Sequence, residues 1–298
     1  MHTPHEQQHA LSCNEAGVHF VVGDPIAHSF SPLIYNTLYE YYEMNVRCTK
    51  AHVSAEQLPA FLSLHKQLDV TGFNITVPHK SAVLPFLDAV TDEASAQASV
   101  NCIAVQQGRL VGHSTDGWGF SLALQEQGAQ LPGQHIVLLG AGGAAAAIAE
   151  RAAVEGAASI VFLARNKEKA QQLAQRIARR QACPCTGDAL SEMAAYLPQA
   201  DLLVQCTSLG MEGYGQDYSD LSFLSLLPRS AAVCDIVYRP SMTRFLGAAS
   251  EQGHAIIGGI GMLIWQALAC FQILYGVLPG KEQKLRIEAA FQAAGYAF

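Results

Sequence analysis

Two charged side chains stand where carbonyl chemistry would need them. In GFNITVPHK, Lys80 follows a strand pattern and a proline, and in GHSTDGWGF, Asp116 ends a hairpin pattern just before a helical one. An ammonium can give a proton to an oxygen on which negative charge develops, and a carboxylate can orient it. Each residue also has a plainer reading: Lys80 as a solvated lysine at a helix start, and Asp116 as a helix N-cap, a place Asp favours. Proton donation becomes reduction if a hydride donor is bound, and HIVLLGAGGAAAAIA has the pattern for one. A buried-type strand runs into Gly140, Gly142 and Gly143 and then into a strong helix former. Glycines at such a turn let the backbone approach a pyrophosphate, whose charge is met by free amides at the helix N-terminus. A tight turn with no ligand is the other reading, but the strand before, the helix after and the next strand on cue favour a dinucleotide. That next strand, SIVFLA, ends in Ala164-Arg165-Asn166-Lys167 with Lys169 close behind, and its first acid is Glu168. NAD-binding chains place a carboxylate there for the ribose hydroxyls, whereas cations complement a 2′-phosphate, so NADP is expected. An exposed basic helix start is the alternative.

The elements that must position these residues follow from periodicity. Half of the 298 residues are hydrophobic and only 14% are charged, which predicts a large packed core. The length suits two domains. VHFVVG and NVRCTKAHV read as strands flanking a helix from Pro32 to Tyr42 that buries Leu33, Ile34, Leu38, Tyr41 and Tyr42. A helix near 55–64, the strand GFNITV, a short helix after Pro78, a helix near 92–98 and a hairpin of VNCIAV and RLVGHS around Gln107-Gly108 complete a mixed sheet. From Gly117 a helix leads into a regular alternation: HIVLLG, SIVFLA, DLLVQC, AVCDIV and HAIIG separated by helices, the mark of a doubly wound parallel sheet. Helices at 261–275 and 283–294 then return to the first domain. The expected fold is therefore α/β, with a mixed-sheet substrate domain (17–116 and 261–298), a Rossmann-type domain (117–260) and a flexible tail (1–16).

Several function classes are disfavoured. A net charge of −7 with 18 Lys plus Arg spread along the chain builds no basic face for nucleic acid or anionic lipid, so a small-molecule ligand is expected. The apolar stretch from Gly261 carries Gln266 and Gln272, which fits a buried helix and not a membrane span. Eight cysteines with no signal-peptide pattern predict reduced thiols and a cytoplasmic location. Neither Cys183-Pro184-Cys185 nor His2, His5 and His9 is read as a metal site: the first is taken as a loop, the second as part of a polar tail.

GDPIAHSFSPLIYN, GFNITVPHK, ASVNCIAV, HSTDG, GAGGAA, DLLVQCTSLGM, DIVYRP and GGIGMLIWQAL occur in the order seen in shikimate dehydrogenases, and the chain resembles that family from about Val21 to Tyr275. The resemblance implies NADP-dependent reduction of 3-dehydroshikimate to shikimate, with a quinate-accepting or related paralogue as the alternative and a dinucleotide-binding regulator as a third. It implies that Lys80 and Asp116 are the catalytic pair, and that Ser29 and Ser31 hold the substrate carboxylate. Two hydroxyls one residue apart, at a helix entrance with Pro32 in the first turn, suit that role; a helix cap at Ser31 and a turn at Ser29 is the rival account. Quinate-accepting members often have threonine at the second position, so Ser31 points to shikimate. By the same resemblance Thr76, Asn101 and Gln266 bond substrate hydroxyls, and Tyr238 lies near the carboxylate and nicotinamide. Gly140, Gly142, Gly143, Ala144, Arg165, Asn166 and Lys169 contact the cofactor, with Thr207 and Gly259 beside the nicotinamide. No metal is implied, and the chain is expected to be a monomer or homodimer. Departures from the family pattern are Ser114 for asparagine, Cys102 for threonine, Gln205-Cys206 for Asn-Ala, Tyr35 for a common histidine and Ala146 for an arginine. The last leaves NADP selectivity to Arg165 and Lys169.

Overall fold

Alternating and continuous apolar runs build two sheets, and a computed structural model describes them over residues 16–296. The chain divides into two units, one comprising the described residues up to Thr115 together with those from Gln266, the other running Asp116–Trp265. The second boundary falls inside a helix, because Met262 and Trp265 pack with the second unit's core. His2, His5, His9 and the rest of the tail up to residue 15 lie outside the described residues.

In the first unit the order is β1 (Gly17–Gly23), α1 (Ser31–Tyr41), β2 (Val46–His52), α2 (Leu58–Leu62), β3 (Val70–Ile75), α3 (His79–Ala82), β4 (Ala89–Val90), α4 (Asp92–Gln97), β5 (Cys102–Gln106) and β6 (Arg109–His113). The sheet runs β2-β1-β3-β5-β6-β4 and is mixed: β1 is parallel to β2 and β3, while β5 is antiparallel to β3 and β6. Gln107 (φ 52°) and Gly108 (φ 74°) both adopt left-handed backbone, so the β5–β6 hairpin turns through two residues whose twist matches the strands. Helix α1 buries Ile34, Tyr35, Leu38 and Tyr39. Tyr35 and Tyr39 thus face the core where Leu33 and Tyr41 were expected. For Tyr39 the reason is polar partnership, since its hydroxyl meets His19 Nδ1 at 2.6 Å and the Tyr275 hydroxyl at 3.0 Å, whereas Tyr35 sets its ring edge-on against His19 with centroids 4.4 Å apart.

The second unit holds α5 (Asp116–Glu126), β7 (His135–Leu139), α6 (Gly143–Val154), β8 (Ser159–Ala164), α7 (Lys167–Ala178), β9 (Cys185–Ala189), α8 (Met193–Tyr196), β10 (Leu202–Gln205), β11 (Ala232–Asp235), α9 (Arg244–Glu251) and β12 (Ala255–Ile257). Helix α10 (Ile260–Tyr275) begins here and ends in the first unit, which α11 (Lys281–Ala293) completes. Every strand pair is parallel, in the order β12-β11-β10-β7-β8-β9. Strand order therefore reverses between β7 and β10, where open α/β sheets take ligands beyond the strand ends. Strand β9 corrects the expectation of a loop at Cys183-Pro184-Cys185, of which only Cys183 and Pro184 stay outside a strand. Cys185 opens this edge strand; its polar sequence CTGDA hides the pattern, and a Cβ on Gly187 would lie 2.2 Å from the Ala170 backbone, so only glycine lets α7 pack so close. No group of three or more His, Cys, Asp or Glu among the described residues could hold a metal ion. No described helix is long and apolar enough to cross a membrane.

Candidate active site

In the first unit β1 and β3 are parallel neighbours, with Val22 opposite Ile75, so the segments leaving them start side by side at one sheet edge. The segment after β1 brings Ser29 and Ser31. Ser31 is the first residue of α1, and Phe30 in the cap position makes no side-chain capping bond. The rival reading of Ser31 as a cap is thereby removed. Instead Ser29 Oγ accepts the Ser31 N–H at 3.3 Å, and the Ser29 hydroxyl donates to Ser31 Oγ at 3.3 Å. Contacts that long are weak, so the paired hydroxyls are held together but remain good donors for a stronger acceptor.

The segment after β3 brings Thr76 and Lys80. The Thr76 N–H donates to Val22 O (2.9 Å), and the His79 N–H to Thr76 O (2.8 Å). His79 is fully buried with Nε2 2.7 Å from Val53 O, which anchors the short helix α3. Lys80 follows half-buried, and its carbonyl accepts the Val100 N–H at 2.8 Å. That bond ties it to the start of β5, where Asn101 stands at the same edge, because β5 is antiparallel to β3 with Cys102 opposite Asn74.

Asn101 and Gln266 are brought together, and by a residue the sequence reading did not single out. Asn101 Nδ2 donates to Thr115 Oγ1 (2.9 Å) and to Gln266 Oε1 (3.0 Å), while Asn101 Oδ1 accepts the Thr115 N–H (2.8 Å). The Thr115 hydroxyl in turn donates to Gln266 O (2.9 Å). All three residues are buried, and the available signal was the position of Thr115 inside HSTDG, adjacent to Asp116. Thr115→Val should lower stability by about 1 kcal/mol, since it removes one buried bond from the Asn101 amide and one to the Gln266 carbonyl. Denaturant unfolding measures this; an unchanged midpoint would mean the network contributes nothing.

The second unit carries the remaining candidates. Asp116 is buried as the first residue of α5. Lys80 and Asp116 belong to different units. Gly140 leaves β7 with φ 115°, a conformation side chains resist, and a Cβ there would also approach Thr207 Cγ2 to 3.1 Å. Gly140 and Thr207 are thus neighbours at the strand-order reversal. Gly142 precedes α6, with open space where its Cβ would be, and Gly143 and Ala144 form the first turn. Gly259 packs on the segment that carries Tyr238, since a Cβ would sit 2.3 Å from Ile236 O and 2.8 Å from Val237 O. Burial raises the Tyr238 hydroxyl above its ordinary value, against an opposing pull from Arg239.

The turn beyond β8 distributes its charges unequally. Arg165 and Lys169 are exposed and have no ion pair among the described residues. Lys167 is bound to Asp188 Oδ1 at 2.6 Å, and Asp188 falls below its ordinary carboxylate value through that bond first. Asn166 caps α7, its Oδ1 accepting the Lys169 N–H at 2.7 Å, which leaves the amide Nδ2 as the group able to meet a phosphate. An open glycine turn ahead of a helix N-terminus, followed by two uncommitted cations, fits a dinucleotide phosphate ester. Among the departures, Cys102, Ser114, Tyr35, Gln205, Cys206 and Ala146 are all buried, and Ala146 is part of the second unit's apolar core.

Comparison with known proteins agrees with both halves. A family described as the shikimate dehydrogenase substrate binding domain matches residues 21–103, and one described as shikimate / quinate 5-dehydrogenase matches residues 121–211. The chain is 36% identical over 259 residues to a shikimate dehydrogenase (NADP(+)) of Symbiobacterium thermophilum, covering 86% of this chain and 88% of that protein. A crystal structure of shikimate dehydrogenase in complex with NADP+ superposes with a TM-score of 0.84 at 29% identity, covering 95% of this chain and 97% of that one. Shikimate 5-dehydrogenase from Thermus thermophilus, in complex with NADP(H) and shikimate, gives a TM-score of 0.81 at 31% identity over 93% of this chain and 99% of the other. With the ordered motifs, the two sheets and these likenesses in agreement along most of its length, the chain belongs to the shikimate dehydrogenase family.

Proposed function

We propose that this chain is a reversible NADP-dependent shikimate dehydrogenase, reducing 3-dehydroshikimate to shikimate in the synthesis of chorismate and aromatic amino acids. The observation that carries the reading, beside family membership, is the edge of the first sheet. The segments leaving β1 and β3 and the residue before β5 carry Ser29, Ser31, Thr76, Lys80 and Asn101, so hydroxyls, an amide and an ammonium start from one edge of this sheet. That set suits a small ring bearing one carboxylate and several hydroxyls.

Ser29 and Ser31 donate to the substrate carboxylate, with Tyr238 near it. Thr76, Asn101 and Gln266 bond the ring hydroxyls. When bound, NADPH supplies the hydride. Lys80 gives a proton to the oxygen on which negative charge develops, and Asp116 accepts a bond from the neighbouring substrate hydroxyl. Gly140, Gly142, Gly143 and Ala144 receive the pyrophosphate, Arg165, Asn166 and Lys169 the 2′-phosphate, and Thr207 and Gly259 flank the nicotinamide. The compartment is the cytoplasm, a reading supported by the free thiols of the described cysteines; the partner is a small molecule, not nucleic acid, and the working form is a monomer or homodimer.

A spectrophotometric assay decides the assignment. Shikimate with NADP is expected to be turned over fastest among the four combinations of shikimate or quinate with NADP or NAD. Turnover of quinate in place of shikimate would move the chain to the alternative substrate, and no turnover of either would remove the enzyme reading.

A further inference from the structure

The end of β11 carries a buried charge that the roles above do not use. Asp235 has no exposed surface, yet three donors converge on its carboxylate: the Val237 N–H (2.9 Å) and Gln205 Nε2 (3.3 Å) on Oδ1, and the Thr243 hydroxyl (2.7 Å) on Oδ2. Gln205 grips the segment beyond its own strand. Its Oε1 accepts the Thr207 N–H, and its Nε2 reaches Thr207 O (3.2 Å) and Leu209 O (3.1 Å). Thr243 caps α9, accepting the Leu246 N–H at 3.2 Å. One carboxylate therefore joins the segment that bears Thr207, the segment that bears Tyr238, and the start of a helix.

We infer that Asp235 is a positioning residue for the reaction: its ionised form holds Thr207 and Tyr238 in register, and protonation loosens both segments. The inference rests on the roles assigned above to Thr207 and Tyr238. Donor counting supports it: two N–H groups and one hydroxyl already donate to the two oxygens, so an added proton must either displace an N–H or turn the Thr243 hydroxyl from donor to acceptor. Either change breaks the present set of bonds.

The environment places this change within reach of ordinary pH. Burial lifts the Asp235 carboxyl from 3.8 to about 6, against the bonds from Thr243, Val237 and Gln205, while the nearby Asp217 adds to the rise. The other titratable groups that face it are Cys206, Cys234 and Tyr218, each raised by its own burial and so neutral in this range. Since the folded value is raised, the native chain binds the extra proton between 3.8 and about 6, and this group's contribution to stability falls as pH rises through that window. Its contribution to turnover rises over the same window, so a positioning role and a purely structural role move in opposite directions.

Asp235→Asn mimics the protonated side chain permanently. In the full chain above neutral pH, kcat for shikimate oxidation is expected to drop about tenfold, because a sub-ångström displacement near the reacting atoms suffices for that. KM for NADP should stay within about twofold, since the phosphate-binding turn is untouched. The ratio of wild-type to variant kcat should shrink towards one as pH falls below about 6. Thr243→Val removes one bond to the carboxylate and should move the acid limb of kcat upward by roughly one pH unit, whereas Thr243→Ser restores it. This second pair keeps the test available if Asp235→Asn does not fold. A kcat ratio that does not vary with pH, or an acid limb unmoved in Thr243→Val, overturns the inference. Thr207→Ala and Tyr238→Phe serve as controls. Near-normal kcat in both would sink the roles on which the inference rests, while impaired kcat in both beside a wild-type Asp235→Asn would sink the inference alone.

Discussion

Lys80→Ala should reduce kcat for shikimate about a thousandfold, within the range that loss of a positioned proton donor produces. The fold should survive the change. Helix α3 is held by buried His79 and by the bond from the Val100 N–H to the Lys80 carbonyl, neither of which involves the ammonium. Steady-state kinetics with NADP, alongside a thermal unfolding curve, measures both expectations. Turnover near that of the wild type would remove Lys80 from the chemistry, whereas lost turnover with a collapsed unfolding midpoint would mean that the side chain serves the fold. Lys80→Arg distinguishes the two forms of the catalytic role. A recovered kcat would show that positive charge at the developing oxygen is enough, and a kcat as low as in Lys80→Ala would show that proton donation from the ammonium is required.

Arg165→Ala should weaken NADP about thirtyfold and leave NAD almost unchanged, because a charge-assisted fork to a phosphate contributes about 2 kcal/mol that the unphosphorylated cofactor never receives. The structure sharpens this expectation by sorting the local cations. Lys167 is committed to Asp188, and Ala146 is packed into the core, so Arg165 and Lys169 are the exposed cations expected to discriminate between the two cofactors. Dissociation constants for both cofactors, measured by fluorescence titration at low and moderate salt, provide the test. Equal losses for NADP and NAD would contradict contact with the 2′-phosphate and place Arg165 elsewhere along the dinucleotide.

Much of this was legible in one dimension, because short-range rules govern it. A glycine turn between a strand and a helix, a two-residue hairpin turn at Gln107-Gly108 and the alternation of strands with helices are local patterns, and each stands in the structure where the residues indicated it. Strand β9 escaped because an edge strand with a polar sequence carries no period-two signal. The inward turn of Tyr35 and Tyr39 escaped because an apolar face can be counted along a helix, while the His19 ring that packs on Tyr35 and the groups that bond the Tyr39 hydroxyl come from other elements of the chain.

The order of residue types determined the two sheets and the class of ligand, and it nominated the groups to bind it. Tertiary structure alone decided how those groups are held. Thr115 reaches Gln266 across 151 positions, and Asp235 meets Gln205 across 30. Such bonds depend on two strand ends or a strand end and a helix arriving at the same place, a condition that no window of sequence contains. The bonding also divides chemically equivalent residues into different duties, with Lys167 neutralised by Asp188 while Arg165 stays exposed. Composition supplies the donors and charges; packing determines which of them are already spoken for and which remain for a ligand.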